Sequence, residues 1–382
     1  MPVRIAMVAG EASGDLLAAH LIGALKRELP DAQFFGIGGP KMQREGFDAW
    51  WPSETLAVRG YAEVLRHYRE ITGIRSRLIS RLCSEKPDVF IGVDAPDFNL
   101  KVERKLKARG IPAIHYVSPS IWAWRGGRIH GIGRAVSRML AMFPFEPEIY
   151  ERESIPVSYV GHPLADVLPV ESVREAARER LDLSGDQRIF ALLPGSRQSE
   201  LQYMGRLFIE TAKLLHERFP DALFLVPLIS RETRQQFEAA LWDAGAQELP
   251  VRMLFGHAQD ALAASDCALV ASGTATLEAA LLKTPHAIAY RMSPWSWRLM
   301  KRMRYQPWVG LPNIMARRFL VPEFLQDEAT PENLAQALGN LLLDAQVRSR
   351  LAQAFADIHR TLRQGTAEKA AAAILPYLRQ AA

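Results

Sequence analysis

The chain has 382 residues, 48% of them apolar and 23% charged, which predicts two domains or three, each with its own core, and excludes global disorder. Its 24 prolines and 25 glycines show no Gly-X-Y period, so collagen-like and low-complexity classes are excluded, and no stretch of 18 residues is apolar enough to span a membrane. The two cysteines, Cys83 and Cys267, are too far apart for a metal knuckle and too few for a disulfide framework, while the net charge of +5 constrains partners only where it is clustered.

Residues 3–9 form an apolar run too short for a signal peptide and without a small-residue cleavage pattern, so they predict a first strand in a cytosolic protein. A helix is expected over 16–29. Strands at 89–93, 113–117 and 137–142 follow, the first leading into a helix over 100–108, the second into a loop and the third into a helix over 146–150. After Gly161-His162-Pro163 the rhythm restarts. Strands at 189–193, 223–226, 251–254 and 267–270 precede helices over 201–218, 232–244, 258–264 and 275–282, and residues 331–382 read as helical throughout. Short strands alternating with longer helices predict βαβ units and parallel sheets. The expected architecture is therefore α/β, with two doubly wound domains facing a cleft. Residues 1–165 form the first and 166–345 the second; helices at 346–382 follow, with packing back on the first domain as one option.

In such sheets ligands bind beyond the carboxyl ends of the strands, where amides at helix starts hold anions. Four segments have that placement. Gly10-Glu11-Ala12-Ser13-Gly14-Asp15 follows the first strand; it lacks the Lys of a P-loop, and its two acids suit sugar hydroxyls better than a pyrophosphate. A helix start capped by Ser13 or Asp15 is the structural alternative. Gly92-Val93-Asp94-Ala95-Pro96-Asp97-Phe98-Asn99 puts Asp94 just past a buried strand, where a carboxylate can act as a base, with Asp97 as a helix cap or second acid. In Leu193-Pro194-Gly195-Ser196-Arg197, the guanidinium of Arg197 is placed to meet a departing diphosphate. Ser272-Gly273-Thr274-Ala275-Thr276-Leu277-Glu278 offers small residues and helix-start amides to a phosphate. Glu278, four residues after Thr274, shares its helix face and is suited to ribose hydroxyls, although a favourable first-turn Glu is the plainer reading.

The positive charge is clustered. Residues 291–318 carry seven basic side chains and no acid, and residues 101–145 carry nine against Glu103 alone. Within the first run Trp295, Trp297, Arg298, Lys301 and Arg302 alternate apolar and cationic character, as an interfacial segment on an anionic membrane does. Residues 61–78, with Val64, Leu65, Ile71, Ile74 and Leu78 among several arginines, are expected to join that surface. An ordinary helix burying its aromatic face is the competing reading. No helix-turn-helix, zinc finger or RNA-binding signature accompanies the charge, so a nucleic-acid partner is not expected. No histidine pair has metal-ligand spacing, and neither a metal nor a cofactor is called for.

Taken together, Val8-Ala9-Gly10-Glu11-Ala12-Ser13-Gly14-Asp15, Val93-Asp94-Ala95-Pro96-Asp97-Phe98-Asn99, His115-Tyr116-Val117-Ser118-Pro119-Ser120-Ile121-Trp122-Ala123-Trp124-Arg125, Leu192-Leu193-Pro194-Gly195-Ser196-Arg197 and Ala271-Ser272-Gly273-Thr274-Ala275-Thr276-Leu277-Glu278, with Leu311-Pro312-Asn313 later, resemble the lipid-A-disaccharide synthase family. The combination is specific where no single motif is, and the resemblance extends from about residue 3 into the C-terminal helices. It implies a GT-B inverting glycosyltransferase, peripheral at the cytoplasmic face of the inner membrane and without a required metal. The implied substrates are UDP-2,3-diacylglucosamine and 2,3-diacylglucosamine 1-phosphate, and the products a β-1,6-linked disaccharide 1-phosphate and UDP.

On that chemistry Asp94 is the expected base. Arg197 and Ser196, with the Ser272, Gly273, Thr274, Ala275 and Thr276 turn, are expected to hold the diphosphate, Glu278 the ribose, and Asn313 the donor sugar or phosphate. Glu11, Ser13, Asp15 and Asp97 are expected on the acceptor side. A homodimer is one option for assembly. A UDP-sugar 2-epimerase on the same architecture is the alternative, with no use for the acid-free aromatic surface. A non-enzymatic anion-binding protein for membrane or RNA is a further one, and leaves the strand-end turns without a purpose.

Overall fold

The computed structural model describes residues 2–56, 61–124, 126–303 and 306–379, with the side chains of 61–68, 299, 301–303 and 379 left outside the description. The chain divides into two compact units, residues 1–166 with 362–382, and residues 167–361. Each is built on its own parallel sheet.

In the first unit the strands are β1 (Arg4–Ala9), β2 (Gln33–Gly38), β3 (Phe47–Pro52), β4 (Val89–Val93), β5 (Ala113–Tyr116), β6 (Arg138–Ala141) and β7 (Val157–Tyr159), in the order β3-β2-β1-β4-β5-β6-β7. The order reverses between β1 and β4, which pair in parallel with Ala9 opposite Val93. Alternation along β1 sends Ile5 and Met7 to one core and Ala6 and Val8 to the other. The first core is closed by the helices Ala12–Glu28 and Thr366–Arg379, the second by Tyr61–Glu85 and Pro96–Lys107. Ile74 and Leu78 are buried in that second core, so they are structural rather than part of a membrane-facing surface, while the side chains of Val64 and Leu65 lie outside the described residues.

The last helix is tied to this unit at both ends of its contact. Ile374 and Leu378 are buried against the first core, each contributing roughly 1.5–3 kcal/mol of apolar burial. At its start, the Asp166 carboxylate accepts from the amides of Gln364 and Gly365 at 3.0 Å and of Thr366 at 2.6 Å. The preceding helix, Ala345–Leu362, lies almost entirely within the second unit.

The second unit holds β8 (Ile189–Leu193), β9 (Leu223–Leu228), β10 (Val251–Phe255), β11 (Cys267–Ala271), β12 (His286–Tyr290) and β13 (Glu323–Leu325), ordered β10-β9-β8-β11-β12-β13 and parallel throughout. Here the order reverses between β8 and β11. Strands β2, β3, β7, β12 and β13 were not expected from the sequence. β3, β7 and β13 are edge strands, while β2 and β12 are interior strands of six and five residues beside them, and the sheet assigns all five by pairing with their neighbours.

Candidate active site

Each switch point, where the strand order reverses, opens a crevice at the carboxyl ends of its sheet. In the first unit β1 and β4 bring the Gly10–Asp15 turn beside Asp94. Glu11 is the N-cap of the helix Ala12–Glu28, in extended conformation, and its carboxylate makes no capping bond; Glu11 and Ser13 are both exposed there. Asp94 is half-buried and its amide donates to the Tyr116 carbonyl at 2.8 Å. Among the described residues its carboxylate has no hydrogen-bond partner. Asp97 is nearly fully exposed and pairs with Arg128 at 2.8 Å, a surface contact of little energetic weight.

Asp15 does something different from what its motif suggested. It is 3% exposed, and its two oxygens accept from the amides of Gly39 (3.0 Å), Lys41 (3.0 Å) and Met42 (3.1 Å). These belong to the start of the helix Pro40–Arg44, whose own N-cap is a glycine without a side chain to offer. The expected acceptor contact is corrected to a capping role.

The ends of β5, β6 and β7 gather polar groups that sequence reasoning left unassigned. Glu146 is buried and accepts from the amides of Met142 (3.0 Å) and Phe143 (2.9 Å), yet burial pushes its carboxyl up to about 7 against those bonds. The Ser118 and Tyr150 hydroxyls meet at 2.7 Å. His162 lies 5.6 Å from the Phe143 ring, and burial pulls its imidazole down to about 4, leaving it neutral.

In the second unit Gly195, two residues past β8, has φ +125°, and a Cβ there would come within 2.6 Å of the Glu200 side chain. The reason is local. The Glu200 carboxylate accepts from the amides of Ser196 (2.9 Å) and Arg197 (3.3 Å) and from the Arg197 guanidinium (3.1 Å), the carboxylate half of a capping box at the start of the helix Gln198–Arg218, since a guanidinium cannot accept in return. Arg197 is otherwise exposed. Three donors at one strand end thus converge on a single anion.

Across the switch point Gly273, at φ +142°, opens the helix Thr274–Leu281, whose first turn has no side-chain cap. Ser272 and Ala275 are half-buried and Thr274 is exposed at this start. Thr276 points inward instead: its hydroxyl donates to the Gly273 carbonyl at 2.7 Å and accepts from the Leu311 amide at 3.4 Å. Its backbone amide also donates to the Gly273 carbonyl at 3.2 Å, so the expected phosphate contact of Thr276 is corrected to a local brace and the free donors of this turn are the amides before it. Glu278 is half-buried, takes a hydrogen bond from Gln259 at 3.2 Å, and has its carboxyl raised by burial.

Asn313 is likewise committed. Its amide nitrogen donates to the Val321 carbonyl (2.9 Å) and the Glu323 carboxylate (2.8 Å), and its oxygen accepts from the amides of Leu320 (2.7 Å) and Val321 (2.8 Å). That exhausts an amide side chain. The expected donor contact is corrected to a brace for the loop before β13, which Glu323 completes by accepting from the amides of Val309 and Gly310 at 2.9 Å.

On the helix Pro294–Met303, Trp295 is 80% exposed with the Arg298 guanidinium 5.8 Å from its ring, and Trp297 is half-buried. The side chains of Lys301 and Arg302 lie outside the described residues. Among the described residues no helix is long and apolar enough to cross a membrane, and no group of three or more acids, histidines or cysteines has metal-binding geometry.

The fold is shared with solved structures of low sequence identity. A UDP-GlcNAc 2-epimerase from Neisseria meningitidis, bound to UDP-GlcNAc, superposes with a TM-score of 0.63 at 13% identity, covering 100% of both chains. MurG from Acinetobacter baumannii does so with a TM-score of 0.59 at 15% identity, covering 98% of this chain and all of that one. Fold alone accommodates both the transferase and the epimerase readings; sequence separates them. The lipid-A-disaccharide synthases of Azoarcus sp. (strain BH72) and Dechloromonas aromatica (strain RCB) are 65% and 62% identical over 382 and 377 residues, covering 100% and 98% of this chain and 98% and 99% of theirs. The family model for lipid-A-disaccharide synthetase matches residues 5–375. On that continuous match this glycosyltransferase of lipid A biosynthesis, built on two Rossmann-like units of GT-B type, belongs to the lipid-A-disaccharide synthase family.

Proposed function

We propose that the enzyme joins UDP-2,3-diacylglucosamine to 2,3-diacylglucosamine 1-phosphate with Asp94 as the general base. The acceptor 6-hydroxyl oxygen bonds to the anomeric carbon as the bond from that carbon to the UDP phosphate oxygen breaks. The hydroxyl proton passes to the Asp94 carboxylate, the electron pair leaves with UDP, and the centre inverts to a β-1,6 linkage. The observation that carries this reading is the Asp94 carboxylate itself, half-buried at the first switch point and unpaired among the described residues. Glu11 and Ser13, exposed on the neighbouring turn, suit the acceptor hydroxyls.

Leaving-group charge falls to the second unit. The exposed Arg197 guanidinium and the uncapped start of the helix Thr274–Leu281 supply donors for a diphosphate, while the Ser196 and Arg197 amides stay with Glu200. Glu278 accepts the ribose hydroxyls. Because both substrates carry acyl chains, the protein docks peripherally on the anionic cytoplasmic face of the inner membrane, with the exposed Trp295 and Arg298 as contact.

The test is a mixed-micelle assay with both lipid substrates and EDTA, following UDP and disaccharide by mass. Disaccharide is expected from the wild type, and a loss of 10²–10⁴-fold in kcat from Asp94→Asn with UDP affinity kept. Loss of UDP binding in parallel overturns the base role, and absence of product overturns the reaction.

A further inference from the structure

The Asp94 carboxylate is presented by an unusual backbone. Asp94 has φ 54° and Ala95 φ 43°, two consecutive non-glycine residues in the left-handed region, immediately before Pro96 opens the helix Pro96–Lys107. Something must hold them there. Pro96 disfavours the right-handed helical alternative for Ala95 but does not select the left-handed one.

Beneath the turn lies Asn99, fully buried. Its side-chain nitrogen sits 2.8 Å from the Asp94 carbonyl and 3.4 Å from those of Val93 and Val8, so one amide spans the ends of β4 and β1 and the turn that leaves them. Its backbone amide donates to the Ala95 carbonyl at 3.0 Å. The opposite orientation of the side chain would set an oxygen against three carbonyl oxygens, so the assignment is fixed by electrostatics. The price is an orphan: the Asn99 oxygen is buried without a hydrogen-bond partner. An apolar residue would avoid that cost, so the donor is what the amide contributes.

Room for Asn99 comes from Gly92 on β4. A Cβ there would lie 2.9 Å from the Asn99 Cβ, 3.0 Å from its Cγ and 2.1 Å from the Glu103 Oε1. Glu103 in turn meets the His115 Nδ1 at 2.6 Å, both side chains fully buried, which backs the Asn99 helix against β5.

We propose that Asn99 is a positioning residue for the transfer, its buried amide clamping the carbonyls at the ends of β1 and β4 and locking Asp94-Ala95 in the left-handed turn that aims the base. This rests on Asp94 being that base. Asn99 touches no substrate in this scheme.

The test compares Asn99→Ala, the double variant Asn99→Ala with Ala95→Gly, Ala95→Val and Asp94→Asn, by kcat, UDP dissociation constant and melting temperature. Asn99→Ala is expected to lower kcat on the order of 10²-fold, the scale for a misplaced catalytic group, with UDP affinity within about twofold of wild type. Glycine at 95 makes the left-handed turn accessible without the clamp and is expected to restore about tenfold of the loss, which a merely structural role would not produce. Ala95→Val strains the same turn with Asn99 in place and is expected to lower kcat too, so the idea remains testable if Asn99→Ala fails to fold. Asn99→Ala with near wild-type kcat beside an inactive Asp94→Asn overturns the clamp alone, as does a loss that glycine at 95 leaves untouched. An Asp94→Asn enzyme with wild-type kcat overturns the base, and the clamp's purpose with it.

Discussion

Replacing Asp15 separates its two readings. In Asp15→Ala three backbone donors lose a shared carboxylate, and two of them, on Gly39 and Met42, are buried. A buried donor left unsatisfied costs about 1–3 kcal/mol, so the variant is expected to lose roughly 2–6 kcal/mol, Lys41 adding little because water reaches it. The loss belongs to the first unit. For a unit of this size a kcal/mol moves the melting temperature by roughly 2–4 °C, which predicts a drop between about 4 and 24 °C in that unit's transition. Asp15→Asn keeps one oxygen for Gly39 and Met42 and turns its NH2 towards Lys41, so a smaller drop of about 2–6 °C is expected. The assay is scanning calorimetry beside acceptor kinetics at a temperature where both variants remain folded. A melting temperature within 1–2 °C of wild type (roughly 0.5 kcal/mol on that scale), together with a raised acceptor KM, would refute the capping argument and return Asp15 to the acceptor side.

Three further predictions follow from the site. Glu278→Ala is expected to weaken UDP by about 10–100-fold, the worth of hydrogen bonds to a charged acceptor, and an unchanged dissociation constant by calorimetric titration would remove the ribose contact. Arg197→Ala is expected to lower kcat by on the order of 10²–10³-fold, with Lys a poor substitute because it lacks the planar fork; full rescue by Lys in the micelle assay would argue for simple charge. Glu146→Gln tests the buried acid near β6. With its folded pKa raised to about 7 by burial, the wild type binds more protons than its unfolded chain between about pH 4.5 and 7. Its stability contribution is therefore present below that window and lost as pH rises through it, by up to roughly 3 kcal/mol. His162, held down at about 4, runs the other way: its contribution is full above about 6.5 and is lost as pH falls. The difference between Glu146→Gln and wild type cancels the histidine and should grow from pH 4.5 to 7 in urea melts; parallel curves would refute it.

The central strands of both sheets were legible because they are buried on both faces and read as unbroken apolar runs between turn residues, as in Val89–Val93 and Ile189–Leu193. The peripheral strands lack that signature. β3 carries Asp48 and two half-buried tryptophans, and β13 is only three residues long. Pairing with β2 and β12 makes them strands, and pairing is a long-range property that no local window contains. The division of the C-terminal helices is similar. Ala345–Leu362 and Thr366–Arg379 look alike in pattern, and what separates them is the Asp166 cap and the pocket that receives Ile374, both supplied from far along the chain.

The site shows the same limit in sharper form. Sequence located the four strand-end turns, because tight turns need small residues there, but it could not divide their polar side chains between ligand and scaffold. Asp15, Thr276 and Asn313 all sit in motif positions, and all three spend their polar atoms inside the protein. A signal for Asp15 did exist. The helix Pro40–Arg44 begins after Gly38-Gly39 with no Ser, Thr, Asp or Asn of its own, so its first amides required an acceptor from elsewhere. The helix at Thr366 follows a glycine and is capped by Asp166; the amides of Val309 and Gly310 are met by Glu323. An acid in a strand-end turn has therefore to be weighed against every uncapped helix start in its unit before it is assigned to a substrate. By that measure Asp15 belongs to the scaffold, whereas the carboxylates of Glu11, which makes no capping bond to the helix it precedes, and of Asp94, unpaired among the described residues, stay candidates for the proposed chemistry.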